Sequence, residues 1–344
     1  MRFLLIHPPP GDRKGQRLAA LLEQLVAEIC TMYPGYDCRV QAGQELPGPL
    51  SLIGNFKREK AIREAQADLV IYSSFSNVLI PSKVKAVVIT ADPLDGAPGP
   101  KRIKKRIKGK LAGVITDTNA LKATISGLFP NRENNIYLLK LMEPELIEPF
   151  AEGEEARSLH ASGKEYFFYG GDISRNNEWE KILQAFSIFK KWQRSSLGLV
   201  LGGQIETGYE KLFGEKLNAY KYHTDIICLN TLSSTERKEV ISGAFALLSG
   251  GLYFGEKMDI AQAYRSGIPV ITDQNSIAAE FCGEAALYAD FKDHDSISRQ
   301  MISMYKNEDE FIRLVEKGKA VMTRFNQHEL LHDLNTCLLH LAER

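Results

Sequence analysis

The sequence predicts an α/β protein built from two doubly wound, parallel-sheet domains. Short aliphatic runs alternate with amphipathic helical patterns along almost the whole chain, which is typical of βαβ units. The runs lack polar alternation, as expected of strands buried on both faces of a parallel sheet. At 344 residues, the chain also exceeds one ordinary core and suits two domains.

The first half of the chain contains five predicted strands and two predicted helices. The strands are Arg2–His7, Asp68–Ser73, Lys85–Ala91, Gly113–Asp117 and Asn135–Leu139. The helices, Gln16–Cys30 and Thr118–Leu128, place apolar residues at positions i, i+3 and i+4.

The second half repeats this rhythm. Its predicted strands are Tyr166–Tyr169, Gly198–Leu201, Asp225–Leu229, Ala244–Leu248, Pro269–Thr272 and Ala286–Ala289. Its predicted helices are Trp179–Trp192, Tyr209–Leu217, Ser234–Ser242, Asp259–Ser266, Ile277–Phe281, Glu308–Val321 and Gln327–Ala342.

A polar, acidic stretch, Pro149–Gly163, is predicted to be the linker between the domains. The predicted division is therefore a first domain of residues 1–155, a second of residues 164–325, and a final helix, 326–344, that packs back on the first domain. In open α/β sheets a ligand binds outside the carboxyl ends of the strands. We therefore expect a ligand in a cleft between the two domains.

Composition excludes several classes of protein. Lys+Arg and Asp+Glu are equal at 43 each, which argues against a general nucleic-acid binder. The apolar runs are shorter than the roughly 20 residues that span a bilayer, and the apolar stretch that ends at Ile6 is too short for a signal peptide. The five scattered cysteines form no CxxC motif, which favours free thiols and a cytoplasmic location.

Four segments of the second half match one known family in the same order. They are Tyr166–Phe186 (strand, glycine turn, helix), Leu197–Gln204 (LGLVLGGQ), Asp225–Gly251 and Gly267–Asp293. Together they resemble the nucleotide-sugar-binding half of the group 1 (family 4) glycosyltransferases over about residues 164–325. Over the first 150 residues only the rhythm of elements is similar.

The resemblance implies a GT-B fold, in which two Rossmann-like domains face a cleft. It implies transfer of a hexosyl-type sugar from a nucleotide-diphosphate sugar to an unidentified acceptor, a glycan or a lipid-linked sugar. Retention of anomeric configuration is implied as well. The nucleotide sugar is a co-substrate, and neither a cofactor nor a metal is expected.

Two glycine turns are placed to hold the donor diphosphate. A glycine turn before a helix lets backbone N–H groups and the helix dipole approach an anion. Gly170–Gly171 precedes one predicted helix, and Gly250–Gly251 with Gly255 precedes the helix predicted to start at Asp259. The resemblance further implies that the base lies near Leu229–Leu232, which includes Asn230.

The charged donor contacts of the family are altered in this chain. Asp172 stands where the family has an arginine, and Asn176 or Asn177 where it has a lysine, so Arg175 is the candidate replacement cation. The second of two family glutamates becomes Gln262, which would approach the ribose. The first falls at Phe254 without gaps, or at Glu256 if Phe254–Gly255 is aligned with the family's Phe-Gly.

Three interpretations therefore stay open. The chain is a divergent enzyme that uses Arg175 and Glu256, a sugar- or nucleotide-binding relative with little catalysis, or a scaffold or partner subunit. The loss of two cations matters because catalysis in such a transferase depends on positioning and on stabilising the departing diphosphate. An active enzyme is the favoured interpretation.

Candidate residues of the first half sit near strand ends. His7 and Asp92 are candidate acceptor-side catalytic groups, although strand-end His and Asp residues also cap turns, and Asp92-Pro93 is typical of a turn. Gly11 and Gly15, on either side of Arg13 and Lys14, are predicted to form a loop that faces the donor phosphates.

The segment Lys101–Lys110 carries seven cations in ten residues. Such a helix would rest on the inner, anionic face of a membrane, where lipid-linked acceptors are found, or it is a solvated helix packed on the core.

The sequence His328-Glu329-Leu330-Leu331-His332 matches the HExxH pattern of zinc proteases. Leu338 stands where a metzincin needs its third histidine, and Arg344 follows too soon for a downstream ligand. An amphipathic final helix is the preferred interpretation.

Overall fold

A computed structural model describes residues 1–6, 13–41, 59–75, 78–81, 83–92, 110–129, 133–144, 153–175, 179–251, 253–274 and 276–343, without the side chains of residues 13–15 and 41. The chain divides into two compact units. The first comprises Met1–Glu143, Tyr253–Gly255 and Phe325–Arg344, and the second comprises Pro144–Leu252 and Glu256–Arg324.

Within the described ranges, each unit contains one six-stranded sheet. The strands are β1 (Arg2–Ile6), β2 (Asp37–Gln41), β3 (Leu69–Tyr72), β4 (Lys85–Thr90), β5 (Lys110–Thr116), β6 (Ile136–Leu138), β7 (Tyr166–Tyr169), β8 (Gly198–Leu201), β9 (Ile226–Cys228), β10 (Ala246–Ser249), β11 (Val270–Asp273) and β12 (Ala286–Ala289).

Helices connect the strands. Those with described bounds are α1 (Arg13–Met32), α2 (Asn119–Leu128), α3 (Gly153–Ala161), α4 (Trp179–Gln193), α5 (Glu210–Asn218), α6 (Ser234–Ser242), α7 (Phe254–Arg265), α8 (Ala278–Cys282), α9 (His294–Lys306), α10 (Glu308–Met322) and α11 (Gln327–Glu343). None of them combines the length and apolar character needed to span a bilayer.

The sheet of the first unit has the strand order β2-β1-β3-β4-β5-β6, with parallel pairing throughout. The final helix α11 belongs to this unit and buries Leu334 and Leu338. A Cβ added at Gly113 of β5 would lie 2.6 Å from Cδ2 of Leu341. The absence of a side chain at Gly113 therefore lets α11 lie close to the sheet.

The sheet of the second unit has the order β12-β11-β10-β7-β8-β9, also parallel. After β7 the chain builds outward to β8 and β9 on one side, and then returns to place β10 on the other side of β7. The carboxyl ends of β7 and β10 therefore mark the switch point of this doubly wound sheet.

Aromatic packing fixes the helix that follows β7. The ring of Trp179, at the start of α4, lies edge-on to Phe213 with centroids 5.1 Å apart. Its indole Nε1 donates a hydrogen bond to the carbonyl oxygen of Ser174 at 3.1 Å. This bond ties the loop after β7 to the buried face of α4.

The predicted fold class is confirmed, with errors in individual elements. The linker prediction is wrong at Gly153–Ala161, which is helix α3, and the exposed edge strand β2 and helix α9 were not predicted. Helix α7 begins at Phe254, five residues before its predicted start at Asp259. Phe254 and Gly255 are thus in the first turn of a helix, and the predicted loop position of Gly255 is wrong.

Candidate functional site

Both glycine turns of the second unit lie at the switch point. Gly170–Gly171 directly follows β7, and Gly250–Gly251 directly follows β10. Since β7 and β10 are neighbours in the sheet, the two turns lie at the same edge, where open α/β sheets bind ligands.

The turn after β7 is held against the turn after β8. Ile173 and Ile205 form a parallel bridge, and the N–H of Ile173 donates to the carbonyl oxygen of Gln204 at 2.8 Å. A Cβ at Gly203 would lie 1.8 Å from the carbonyl oxygen of Gly171. This approach requires glycine at position 203 and fixes the backbone of the first turn.

The turn after β10 is surrounded by hydroxyl groups. Gly251 has φ +66°, and a Cβ there would lie 2.8 Å from both Thr272 Oγ1 and Ser276 Oγ. Both hydroxyls are buried, and within the described part of the chain neither has a hydrogen-bond partner. The Ser249 hydroxyl, in contrast, accepts from the N–H of Gly251 at 3.2 Å. Unpaired buried hydroxyls cost free energy unless a bound group satisfies them.

An arginine of α6 reaches the same edge of the sheet. The guanidinium of Arg237 donates to the carbonyl oxygens of Gly170 at 2.7 Å and Gly202 at 3.1 Å. Its Nε lies 2.9 and 3.0 Å from the two carboxylate oxygens of Asp259 on α7. No motif in the sequence indicates this pair, which joins two helices through residues that are 22 positions apart.

A family model described as "Glycosyl transferases group 1" matches residues 151–321. These residues therefore belong to this family. The match covers the described part of the second unit almost completely and includes both glycine turns.

Solved structures show the same fold over the whole chain. Sucrose-phosphate synthase from Thermosynechococcus elongatus has a TM-score of 0.75, with 14% identity over 99% of each chain. Anabaena HepE in complex with UDP and glucose has a TM-score of 0.73 and 11% identity over 98% of this chain and 99% of its own. WaaG, a glycosyltransferase involved in lipopolysaccharide biosynthesis, has a TM-score of 0.70 and 12% identity over 97% and 98%. None of the curated proteins compared with the chain matches its sequence.

The residue predicted to stand in place of the family's arginine and the candidate replacement cation are both at the surface. Asp172 and Arg175 are both exposed, in the loop after β7, and Asn176 and Asn177 lie outside the described residues. The backbone N–H of Arg175 donates to Glu206 Oε2 at 3.2 Å.

The predicted ribose and base contacts differ in their surroundings. Gln262 is buried, and its Nε2 donates to Oγ of Ser266, the residue after the end of α7, at 2.9 Å, so this N–H is already used. Glu256 is half-buried in the first turn of α7. Asn230 is exposed and lies two residues after the end of β9, where the sequence predicts the base.

Asp92 follows β4 in the first unit, and the same unit contains Tyr253–Gly255. The carboxylate of Asp92 accepts the N–H of Phe254 at 2.8 Å, and the carbonyl oxygen of Gly255 accepts from Arg17 Nη1 at 3.0 Å. Asp92 therefore binds the backbone of the segment Tyr253–Gly255 within the first unit, and its catalytic role stays a prediction.

The remaining predicted residues of the first unit have mixed outcomes. Gly15 lies in the first turn of α1, so its predicted loop position is wrong. His7, Gly11 and residues 101–109 lie outside the described residues, and Lys110 is the exposed first residue of β5.

The HExxH side chains lie on α11. His328, Glu329 and His332 are all exposed, while Leu331 and Leu338 are buried. Across the described residues, no three His, Cys, Asp or Glu side chains converge as metal ligands. The five cysteines are free thiols.

Proposed function

We propose that this chain transfers a sugar from a nucleoside-diphosphate sugar to an acceptor. The observation that carries the proposal is a pair of buried hydroxyls, Thr272 and Ser276, around Gly251 in the segment that matches the group 1 glycosyl transferases. Among the residues that the structure describes, neither hydroxyl has a hydrogen-bond partner. Hydroxyls and glycine-turn N–H groups at a switch point suit the oxygen atoms of a phosphate.

A uridine nucleotide is the first donor to test. The structurally similar Anabaena HepE is described in complexes with UDP and with UDP-glucose. In our proposal the diphosphate lies near Gly171, Gly250 and Gly251, with the exposed Arg175 as a nearby cation and Glu256 as a carboxylate toward the sugar. The base lies near Asn230, and the ribose near Gln262 after its amide leaves Ser266.

The rest of the reaction follows from the family resemblance. We propose retention of configuration, no metal requirement, and a glycan or lipid-linked sugar as acceptor. His7 and Asp92 are the acceptor-side candidates. The basic segment 101–110 would hold the protein at the inner, anionic face of a membrane.

Calorimetric titration with UDP, GDP and ADP tests the proposal. We expect one of the three to bind, and Thr272→Val and Ser276→Ala to weaken that binding about tenfold each, because each variant removes a donor to phosphate. The same variants are expected to raise the stability of the free protein by about 1 kcal/mol, because an unpaired buried hydroxyl is lost.

Ser298→Ala is the matched control. The Ser298 hydroxyl is also buried, but it donates to the carbonyl oxygen of Asp295 at 3.0 Å on α9. Its removal should leave nucleotide affinity unchanged. Failure of all three nucleotides to bind would refute the proposed function.

A nucleotide-binding relative without transferase activity is the second candidate. It is favoured by Asp172 in place of a phosphate-binding arginine and by the Gln262 N–H that already binds Ser266. Release of UDP from UDP-glucose and other UDP-sugars separates the two candidates. Tight UDP binding without turnover for any sugar or acceptor would favour this one.

A further inference from the structure

The guanidinium of Arg237 and the carboxylate of Asp259 form an ion pair across the edge of the second sheet where β7 and β8 end. The Arg237 side chain is 22% exposed and that of Asp259 is 4% exposed, so the pair is largely removed from water. The guanidinium also lies 5.8 Å from the ring centroid of Phe168. Two carbonyl oxygens, one carboxylate and one ring thus hold the cation in one place.

Arg237 is held directly against the first glycine turn. A Cβ at Gly170 would lie 2.3 Å from Nη2 of Arg237, so the guanidinium occupies the space beside the backbone of that turn. A diphosphate bound by the N–H groups of Gly170 and Gly171 would therefore come close to this cation. Arg175, in comparison, is exposed on the loop beyond the turn.

Charge makes Asp259 a competitor of such a ligand. A diphosphate beside Arg237 would be repelled by the Asp259 carboxylate and attracted by the guanidinium, whose planar fork suits phosphate and carboxylate oxygens equally. Resting on the proposed function, we infer that Arg237 is the residue that recognises the donor diphosphate in this chain. Asp259 holds Arg237 in place in the free protein. When the ligand binds, some of the guanidinium N–H groups exchange the Asp259 carboxylate for phosphate oxygens.

This inference predicts opposite effects for the two partners of one ion pair. Asp259→Asn removes the competing charge and keeps a hydrogen-bonding side chain, so the affinity for a diphosphate should rise about threefold to tenfold. Arg237→Gln removes the cation, so the affinity should fall about tenfold to a hundredfold, as for loss of a charge-assisted hydrogen bond. Arg237→Lys keeps the positive charge but lacks the planar guanidinium group, so its affinity for a diphosphate should lie between those of the wild type and Arg237→Gln.

Asp225→Asn is the matched control in the same unit. Asp225 pairs with the buried Lys190 at 3.0 Å, but it precedes β9 and lies at the amino ends of the strands. Its loss breaks a comparable ion pair away from the glycine turns. Affinity should stay within about twofold of the wild type.

The experiment titrates the full chain and its variants with inorganic pyrophosphate, UDP and uridine, with thermal melting as a check of folding. The expected result is the opposite response of Asp259→Asn and Arg237→Gln for pyrophosphate and UDP, with no response for uridine. The inference is overturned if Asp259→Asn weakens binding in parallel with Arg237→Gln, since the pair then only supports the glycine turns. It is also overturned if pyrophosphate and UDP bind to Arg237→Gln as tightly as to the wild type. Absence of binding of both ligands, to the wild type and to Asp259→Asn alike, overturns it as well.

Pyrophosphate keeps the two hypotheses separate. If it binds in an Arg237-dependent way while UDP, GDP and ADP bind no better than pyrophosphate itself, the proposed nucleotide function fails and the role of Arg237 stands. If UDP binds well and Arg237→Gln has no effect on it, the proposed function stands and the role of Arg237 fails.

Discussion

The carbonyl oxygen of Gly171 lies only 1.8 Å from the place where Gly203 would carry a Cβ. Gly203→Ala is therefore expected to push apart the turns after β7 and β8 and to lower the free energy of unfolding by about 2 kcal/mol or more. Urea denaturation measures the change.

Gly214→Ala is the control for this substitution. Gly214 lies inside α5, and a Cβ there meets no atom within 4 Å. Alanine should stabilise that helix by about 0.5–1 kcal/mol. A Gly203→Ala protein as stable as wild type would contradict the close approach of the two turns.

Gly251→Ala tests the turn after β10. At φ +66° a side chain is strained, and its Cβ would also lie 2.7 Å from the Cβ of Ala278. We expect a loss of about 2–4 kcal/mol in stability, from backbone strain and steric overlap together, and a loss of nucleotide binding. Thermal melting and calorimetry measure the two effects.

Gly267→Ala separates strain from overlap. Gly267 has a similar φ of +71°, but its Cβ would meet other atoms only at 3.6 Å, an ordinary contact. This variant should lose about 1–2 kcal/mol through strain alone and keep its nucleotide affinity. Equal losses for both variants would show that overlap at Gly251 has no effect.

Because of the buried thiol of Cys282, we expect the free energy of unfolding to fall at alkaline pH. Burial raises the pKa of its thiol to about 12, above the value of about 8.5 for a free cysteine. Because the folded pKa is the higher one, this thiol's contribution to stability is complete below about pH 8.5 and is lost as pH rises toward 12. Between pH 7 and pH 10 it should remove about 1–2 kcal/mol.

Urea denaturation of wild type and Cys282→Ala at both pH values measures this contribution. The variant should start less stable and lose less stability between pH 7 and pH 10, because its unfolded state has one thiol fewer to ionise. Identical pH slopes for the two proteins would contradict the shift. The native Cys282 thiol should also resist alkylation at pH 8.

Because one face of α11 is buried, we expect the leucines on that face to stabilise the first unit. Leu338 is completely buried, so Leu338→Ala should cost about 2–5 kcal/mol. His332 lies on the exposed face of the same helix, and His332→Ala should change stability by less than about 0.5 kcal/mol. Urea denaturation curves measure the free energy of unfolding of both variants. A large loss of stability in His332→Ala would contradict the interpretation of the HExxH residues as an exposed helix face.

The sequence predicted the buried elements well because burial leaves a pattern in it. Strands β7, β8 and β12 have the predicted bounds, and each is a run of mostly apolar residues. Strand β2, in contrast, is an edge strand whose residues Asp37 and Arg39 are exposed, so it has no apolar run to detect. Helix α9 was detectable, since Asp293 caps it and Ile297, Met301 and Met304 follow a helical spacing.

The site was only partly predictable. The glycine turns follow strands in the sequence and could be located there. The hydroxyls of Thr272 and Ser276, and the contact between Arg237 and Asp259, depend on which strand ends are neighbours in the sheet. Strand order is not encoded by local periodicity, so these residues emerged only from the structure.

The first unit is assembled from distant parts of the chain, because α11 joins it only after the whole second unit has been made. During synthesis, residues 144–324 leave the ribosome with nearly all the residues they pack against in the second unit. The first unit, in contrast, lacks α11 until synthesis is complete. Domains usually fold in the order of synthesis. Here the second unit can complete its fold first. The amino-terminal sheet is therefore the part of the nascent chain that depends on chaperones for the longest time.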